Sequence, residues 1–101
     1  MTIYEHRDVI TVSGGSANTL SLRMPGGLCR QVLIRALTDS TTVFRADLTD
    51  ENSVIRRNYG YHTGEINDTD IRFPVTGRYT INITNASLTD TFRVILAVQE
   101  K

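Results

Sequence analysis

The sequence predicts an all-β domain, a single antiparallel β-sandwich or jelly roll of about seven or eight strands. Apolar and polar residues alternate along most of the chain, which is typical of strands with one buried face. Turn-forming segments rich in Gly, Pro, Asn and Asp separate these stretches at intervals of about ten residues, and no helical stripe competes. The length of 101 residues fits one domain and excludes a two-domain enzyme.

The N-terminal part of the chain contains three predicted strands. Residues 8–12 form the first, which ends at a Ser-Gly-Gly turn. Residues 20–24 alternate between apolar and polar and form the second, and the segment 25–27, Pro-Gly-Gly, stops it. Residues 28–37 are apolar on both faces, which favours a central strand with neighbours on either side.

The middle of the chain contains a predicted strand, a turn, a second strand and a long loop. Residues 43–48 alternate between polar and apolar, residues 49–52 form a turn, and residues 53–57 form the next strand. Residues 58–69 have no clear period, so we expect a loop there. Loops of this length in a small domain are usually functional or mobile, which makes this segment the first place to look for a contact.

Three strands are predicted in the C-terminal part. Residues 71–75 alternate, and Pro74 has the opposite parity to the apolar residues, which favours an edge position. Residues 78–85 and 91–99 alternate strongly and are joined by the turn-rich segment 86–90. We therefore expect these last two strands to form a terminal hairpin.

Charge and composition exclude several classes of partner. The chain carries 11 Lys+Arg against 11 Asp+Glu with a pI near 6.7, so it lacks the net charge of a nucleic-acid or anionic-membrane binder. Ten of the cationic residues are Arg, which is typical of protein interfaces, although a GC-rich genome gives the same bias. The charged residues 5–8 exclude a signal peptide, and no apolar run is long enough to span a membrane.

The residues expected of a catalytic or metal site do not converge in the sequence. His6 and His62 are the only histidines, and no Ser-His-Asp set is favoured, so we expect no catalytic residues and no enzyme. Cys29 lies in the most apolar strand, where a cysteine is usually an inert small hydrophobe. Acidic and amide residues cluster at 47–52 and 67–70, but their spacing favours turns over a calcium loop. We therefore expect no cofactor and no metal.

Two segments are candidates for a protein interface. Residues 1–7 are expected to leave the first strand as an N-terminal arm, with residues 8–101 forming the sandwich domain. In the second segment, two arginines precede two tyrosines of equal parity, and Tyr and Arg are the residue types that dominate binding energy at interfaces. The predicted interface residues are Ile3 and Tyr4 in the arm and Arg56, Arg57, Tyr59 and Tyr61 before and within the long loop.

The C-terminal part of the chain resembles one family of small jelly-roll sandwiches. Residues 77–83 follow the pattern G-x-Y-x-I-x-I, and residues 92–96 follow F-x-V-x-L. Both are similar to the closing strands of pre-peptidase C-terminal domains. Together with the strands at 20–24 and 42–48, the pattern covers about two-thirds of the chain and implies the fold rather than an activity.

The chain as a whole is similar in kind to capsid decoration or cement proteins of tailed phages, which are small, cysteine-poor, all-β and often trimeric. This resemblance implies a virion structural protein, made in the host cytoplasm, that binds the major capsid protein or another virion protein and its own copies, with a trimer expected. One alternative is a ligand- or carbohydrate-binding β-sandwich module on a phage or cell surface. Another is a cytoplasmic adaptor unconnected with a virus.

Overall fold

The computed structural model, which describes residues 3–69 and 72–99, is an all-β domain whose strands are antiparallel throughout. This confirms the predicted fold class. None of the described residues forms a helix long and apolar enough to cross a membrane. The described strands are β1 (Ile3–Val12), β2 (Ala17–Ala36), β3 (Val43–Thr49), β4 (Ile55–Thr63), β5 (Glu65–Asp68), β6 (Phe73–Thr84) and β7 (Asp90–Gln99).

All seven strands join one hydrogen-bonded sheet in the order β1-β7-β2-β6-β3-β4, with β5 beside β2. The long strand β2 divides this sheet into two layers, because its first half pairs with β6 and its second half with β7 and β5. Apolar side chains from both layers meet in one buried cluster. The arrangement is a β-sandwich in which β2 passes from one layer to the other.

The segment 25–27 bends β2 instead of ending it, so the prediction that it stops a strand is wrong. The pairing with β6 shifts register between Met24 and Gly27, which marks a β-bulge. Gly27 has a φ of 148°, and a side chain there would collide with the backbone oxygen of Gln99. Glycine therefore lets the strand turn where β7 passes close by.

The last two strands do not form the predicted terminal hairpin. Strand β6 pairs with β2 and β3, whereas β7 pairs with β1 and β2, so the link between them crosses from one layer to the other. The amide of Ser87 in this link donates to the carbonyl of Val43, and the amide of Gly15 donates to the carbonyl of Ala86. These contacts with other parts of the chain hold the crossing in place.

Two predicted positions within the sheet are confirmed, the central position of the apolar strand and the edge position of the segment around Pro74. The second half of β2 lies between β7 and β5, and Val32, Ile34 and Leu33 are buried on its two faces. Pro74 lies in the part of β6 that, among the described residues, pairs only with β2. Its missing amide hydrogen therefore interrupts no ladder on the other side.

The first strand is longer than predicted. Pairing between β1 and β7 begins at Ile3 opposite Gln99 and continues to Val12 opposite Asp90. The prediction that the strand starts near Asp8 is therefore wrong for residues 3–7, and the first two residues of the arm lie outside the described residues. Residues 3–9 show no alternation of apolar and polar side chains, because all but one of them are exposed and only residues 10 and 12 of this strand are buried.

Candidate functional site

Residues 58–69 form two strands rather than the predicted long loop. Strand β4 continues to Thr63, Gly64 makes the corner, and β5 follows at once. Strand β4 pairs only with β3 in the described part of the chain and is mostly exposed, so no apolar alternation marks it. An edge strand with polar residues on both faces gives little sequence signal.

A bulge in β4 separates the two tyrosines that the sequence places on one face. Ala46 pairs with Gly60 and Asp47 with Asn58, so Tyr59 is the extra residue between two consecutive pairs. Gly60 has a φ of 68°, which glycine adopts without strain. Tyr59 packs against the buried cluster, whereas Tyr61 is 59% exposed. The prediction that the two tyrosines lie on one face of a strand is therefore wrong.

The corner at Gly64 brings β4 and β5 together. The amide of Gly64 donates to the carbonyl of Thr42 at 2.8 Å, and its own carbonyl accepts from the amide of Ala36 at 2.9 Å. These bonds direct the chain from β4, which lies beside β3, to β5, which lies beside β2. Strands β4 and β5 therefore lie on either side of an opening between the two layers.

An open pocket of about 390 Å³ lies at this opening. The hydroxyl of Tyr59 donates to Oδ2 of Asp68 at 3.0 Å, and Nε of Arg57 lies 3.9 Å from the same oxygen. His62 contacts the carbonyl of Tyr59 through Nε2 at 3.0 Å. The pocket is lined by Arg57, Asn58, Tyr59, His62, Ile66, Asn67 and Asp68.

The electrostatics of the pocket suit hydrogen bonding better than proton transfer. Burial and the hydrogen bond to Asp68 raise the pKa of Tyr59 well above its usual value, so the phenol keeps its proton and acts as a donor. Nε of Arg57 is buried and has no hydrogen-bond partner among the described residues. The pocket therefore offers a fixed carboxylate, an imidazole, side-chain amides and one unsatisfied guanidinium N–H.

Arg56 lies outside this pocket. Its guanidinium binds Oδ2 of Asp50, with Nε at 3.0 Å and NH2 at 2.9 Å. The other oxygen of Asp50 accepts from the amides of Asn52 and Val54, so this carboxylate organises the turn between β3 and β4. The hydrogen bond from the Val54 amide is the main reason that the pKa of Asp50 is lowered.

The six predicted interface residues therefore fall in three places. Arg57 and Tyr59 line the pocket, whereas Arg56 and Tyr61 lie outside it, with Tyr61 accepting from the side chain of Asn85 at 2.8 Å. Ile3 and Tyr4 are exposed on β1, at the opposite end of the strand order from β4. The structure thus brings together only one pair from the predicted set.

The other pocket residues are not among those that the sequence predicts to bind a partner. Asn67 and Asp68 belong to an acidic and amide cluster whose spacing favours a turn, but they lie in strand β5. Only the pairing of β5 with β2 brings Asp68 beside Tyr59, and no local pattern predicts that pairing. Within the described residues, no group of three or more His, Cys, Asp or Glu side chains is placed to hold a metal ion.

Comparison with known proteins adds a distant structural likeness. No protein-family model matches the chain, and no curated protein matches it. The structure is similar to that of PliG, a periplasmic inhibitor of g-type lysozyme from Aeromonas hydrophila. That alignment covers 94% of this chain and 85% of the other, with 11% identity and a TM-score of 0.46. A likeness of this strength carries no information about function.

Proposed function

We propose that this chain is a non-enzymatic structural protein of a virus particle, of the capsid decoration or cement type. In this role it binds the major capsid protein or another virion protein, together with its own copies, and is located in the virion. The observation that carries the proposal is the exposed apolar surface on strands at the ends of the sheet. Exposed apolar patches of this kind are typical of surfaces that bind another protein.

The first such surface lies on β1. Ile3 is 55% exposed, Tyr4 45% and Val9 49%, and all three belong to a strand that pairs on one side only within the described residues. An end strand with free backbone hydrogen-bonding groups can add a strand from another chain. The predicted anchors of the arm, Ile3 and Tyr4, thus lie on opposite faces of a strand suited to protein contact.

The second surface lies at the other end of the sheet. Val54 and Ile55 are exposed large apolar residues where β4 begins, the exposed Arg56 follows them, and Tyr61 is exposed near the other end of the strand. Apolar side chains combined with Tyr and Arg are the usual composition of interface centres. The composition of this exposed strand supports the predicted role of Arg56 and Tyr61 in binding a partner.

Mass spectrometry of purified particles from the source tests the proposal directly. A decoration protein is present at hundreds of copies per particle, in stoichiometric proportion to the capsid protein. Particles that lack the chain altogether would refute the virion role. The same preparation, stripped of the chain by denaturant and incubated again with purified protein, provides an attachment assay for variants.

In the attachment assay, the Arg56→Ala variant is expected to bind particles more weakly than the unchanged chain, because it loses a half-exposed guanidinium that can bind a partner carboxylate in addition to Asp50. The melting temperature of the variant checks that the turn organised by Asp50 stays folded. Arg56→Lys should restore attachment only in part, since a point charge cannot replace the planar fork. The matched control is Arg23→Ala, which removes an exposed arginine on β2. Equal attachment of all these variants would place the partner surface elsewhere.

A second candidate function, a carbohydrate-binding module, is favoured by the pocket between β4 and β5. Its carboxylate, amide and phenol groups converge around an aromatic side chain, and sites with few, well-placed polar groups are typical of small-molecule recognition. We expect neutral mono- or disaccharides as ligands, because hydroxyl groups match this mixture of donors and acceptors.

Titration of the protein with a panel of sugars, followed by NMR of the Asn58 and Asn67 side-chain amides, tests this candidate. Saturable shifts at both amides that disappear in Asp68→Asn would support it. The control is Asp8→Asn, which changes an exposed carboxylate on β1, away from the pocket. The absence of shifts with every sugar, or equal shifts in Asp68→Asn, would reject the pocket as a sugar site.

A further inference from the structure

Strand β1 has one open edge. It pairs with β7 along its length, and Asn18 donates to the carbonyl of Thr11 near its C-terminal end, so residues 5–10 have no second strand beside them in the described part of the chain. Natural edge strands are usually short, interrupted by proline or bulges, or protected by lysine. Residues 3–10 contain no proline, bulge or lysine and carry three exposed apolar side chains, so the charged residues Glu5, Arg7 and Asp8 control pairing at this edge.

The side chains of β1 divide into two sets by parity. The odd residues Ile3, Glu5, Arg7 and Val9 lie opposite residues on the outer face of β7, such as Arg93. The even residues Tyr4, His6 and Asp8 lie opposite Val98, Leu96 and Val94, which belong to the buried cluster. When two identical strands pair antiparallel about a two-fold axis through a residue, each face meets the same face of the other copy.

Only one such axis makes the exposed side chains complementary. An axis through His6 places Glu5 opposite Arg7 of the second copy, and Arg7 opposite its Glu5. The same register places Ile3 opposite Val9, so the two most exposed apolar residues of the outer face cover each other.

The neighbouring registers are unfavourable. An axis through Glu5 brings two glutamates face to face, an axis through Arg7 brings two arginines together, and an axis through Asp8 brings two aspartates together. Like charges directly opposite one another in a sheet are destabilising. Charge complementarity therefore selects one register out of four for a second copy.

From this complementarity we propose that β1 is a self-association edge, at which two copies of the chain pair antiparallel about a two-fold axis through His6 and continue the sheet across the dimer. The proposal rests on the proposed function, because it names how the chain binds its own copies. At this strand the two copies use the same residues about a two-fold axis, in place of the three-fold contact expected for a trimer. The contact is short, so we expect association in the micromolar range or weaker.

Sedimentation velocity of the purified chain over a range from micromolar to millimolar concentration measures this association. We expect a reversible monomer–dimer equilibrium for the unchanged protein. Arg7→Glu places two pairs of glutamates across the axis and should weaken the dimer at least about tenfold. The charge swap Glu5→Arg with Arg7→Glu restores complementarity in the same register and should return the affinity to within about threefold.

The melting temperature of each variant at low concentration checks that the monomer is folded, because Glu5 and Arg7 also form an ion pair within one copy. The matched control is Arg23→Glu, which reverses an exposed charge on the half of β2 that pairs with β6, in the other layer, and should leave dimerisation unchanged. A protein that stays monomeric at millimolar concentration, forms trimers, or is not rescued by the swap would overturn the proposal.

The two proposals fail separately. A chain that dimerises through β1 but is missing from virions would refute the particle role and leave the edge contact standing. A chain that is abundant on particles but monomeric in solution, with attachment indifferent to Arg7→Glu, would refute the edge contact alone.

Discussion

The ring of Phe44 contacts the ring of Phe92 edge to face, with centroids 4.7 Å apart and ring planes at 62°. Phe44 lies on β3 and Phe92 on β7, and these strands belong to different layers and do not pair. Both side chains are fully buried. Their contact therefore joins the two layers at the centre of the sandwich, where aromatic pairs add stabilisation beyond the burial of area.

Replacing Phe92 with alanine is expected to destabilise the domain severely. A cavity at a fully buried phenylalanine costs about 3 to 5 kcal/mol, against a total stability of about 5 to 15 kcal/mol for a domain. The melting temperature should fall by at least about 12 °C. Leu88→Ala, which truncates an exposed apolar residue, is the control and should change it little. Equal melting of Phe92→Ala and the unchanged chain would contradict the packing.

Two glycines of β4 and its corner make a matched pair for testing backbone strain. Gly60 and Gly64 both have positive φ, at 68° and 77°. A side chain at Gly60 would meet nothing within 4 Å, whereas one at Gly64 would collide with the backbone oxygen of Ser40. Gly60→Ala should therefore cost about 1 to 2 kcal/mol from conformation alone, and Gly64→Ala distinctly more.

Urea unfolding of both glycine variants measures the difference. Because the Gly64 corner frames the pocket, Gly64→Ala should also shift the NMR signals of Asn67 and Asp68. Gly60→Ala should leave those signals near their original positions. A smaller loss of stability in Gly64→Ala than in Gly60→Ala would mean that the corner can open without cost.

The buried carboxylate of Asp90 makes stability depend on pH. Burial alone would raise its pKa, but hydrogen bonds from the Thr38 and Asp39 amides and the Thr42 hydroxyl outweigh burial and lower it. Since the folded pKa lies below the unfolded value of about 3.9, the ionised group stabilises the fold above that pH. This stabilisation is lost as the pH falls through the pKa of the unfolded state towards the lower pKa of the folded state.

The variant Asp90→Asn is expected to lose about 2 kcal/mol or more at pH 7, because its amide cannot accept from all three donors. Its stability should also fall less steeply than that of the unchanged chain as the solution is acidified below pH 4. Glu65→Gln, which alters an exposed ion pair with Arg35, is the control and should cost at most about 1 kcal/mol. Parallel pH profiles for Asp90→Asn and the unchanged chain would contradict the role of Asp90.

The sequence predicts strands well where one face is buried and poorly where neither is. In β3, Phe44, Ala46 and Leu48 are buried in alternation, and the predicted strand agrees closely with the observed one. In β4, exposed residues occupy both faces and a bulge at Tyr59 resets the parity, so alternation is lost and the sequence predicts a loop from residue 58. Alternation in the sequence reflects the burial of one face of a strand, and few residues of an edge strand are buried.

Strand order and the pocket depend on contacts between distant parts of the chain. The alternation at the C-terminal end predicts two strands correctly but cannot distinguish a hairpin from a crossing between layers, because both leave one face buried. Likewise, Tyr59 and Asp68 meet only because β5 pairs with β2. Neither residue type nor spacing contains that information.

The thiol of Cys29 should report global unfolding. Burial raises the pKa of Cys29 to about 11, although a hydrogen-bonding contribution from the Gln31 backbone lowers it slightly. At pH 8, only roughly one thiol in a thousand is therefore ionised in the folded state, and the side chain is also inaccessible to reagents. A disulfide reagent should react with the native chain only through unfolding, and at once in concentrated guanidinium chloride.

The Phe92→Ala variant extends this test, because a loss of about 3 kcal/mol raises the unfolded fraction more than a hundredfold. Its Cys29 should react faster by that factor when refolding is rapid compared with labelling. Leu88→Cys adds an exposed thiol that should react immediately in the folded protein, which shows that the reagent is active. Rapid labelling of Cys29 in the unchanged chain, at a rate indifferent to Phe92→Ala, would mean that β2 opens locally beside its bend without unfolding of the sandwich.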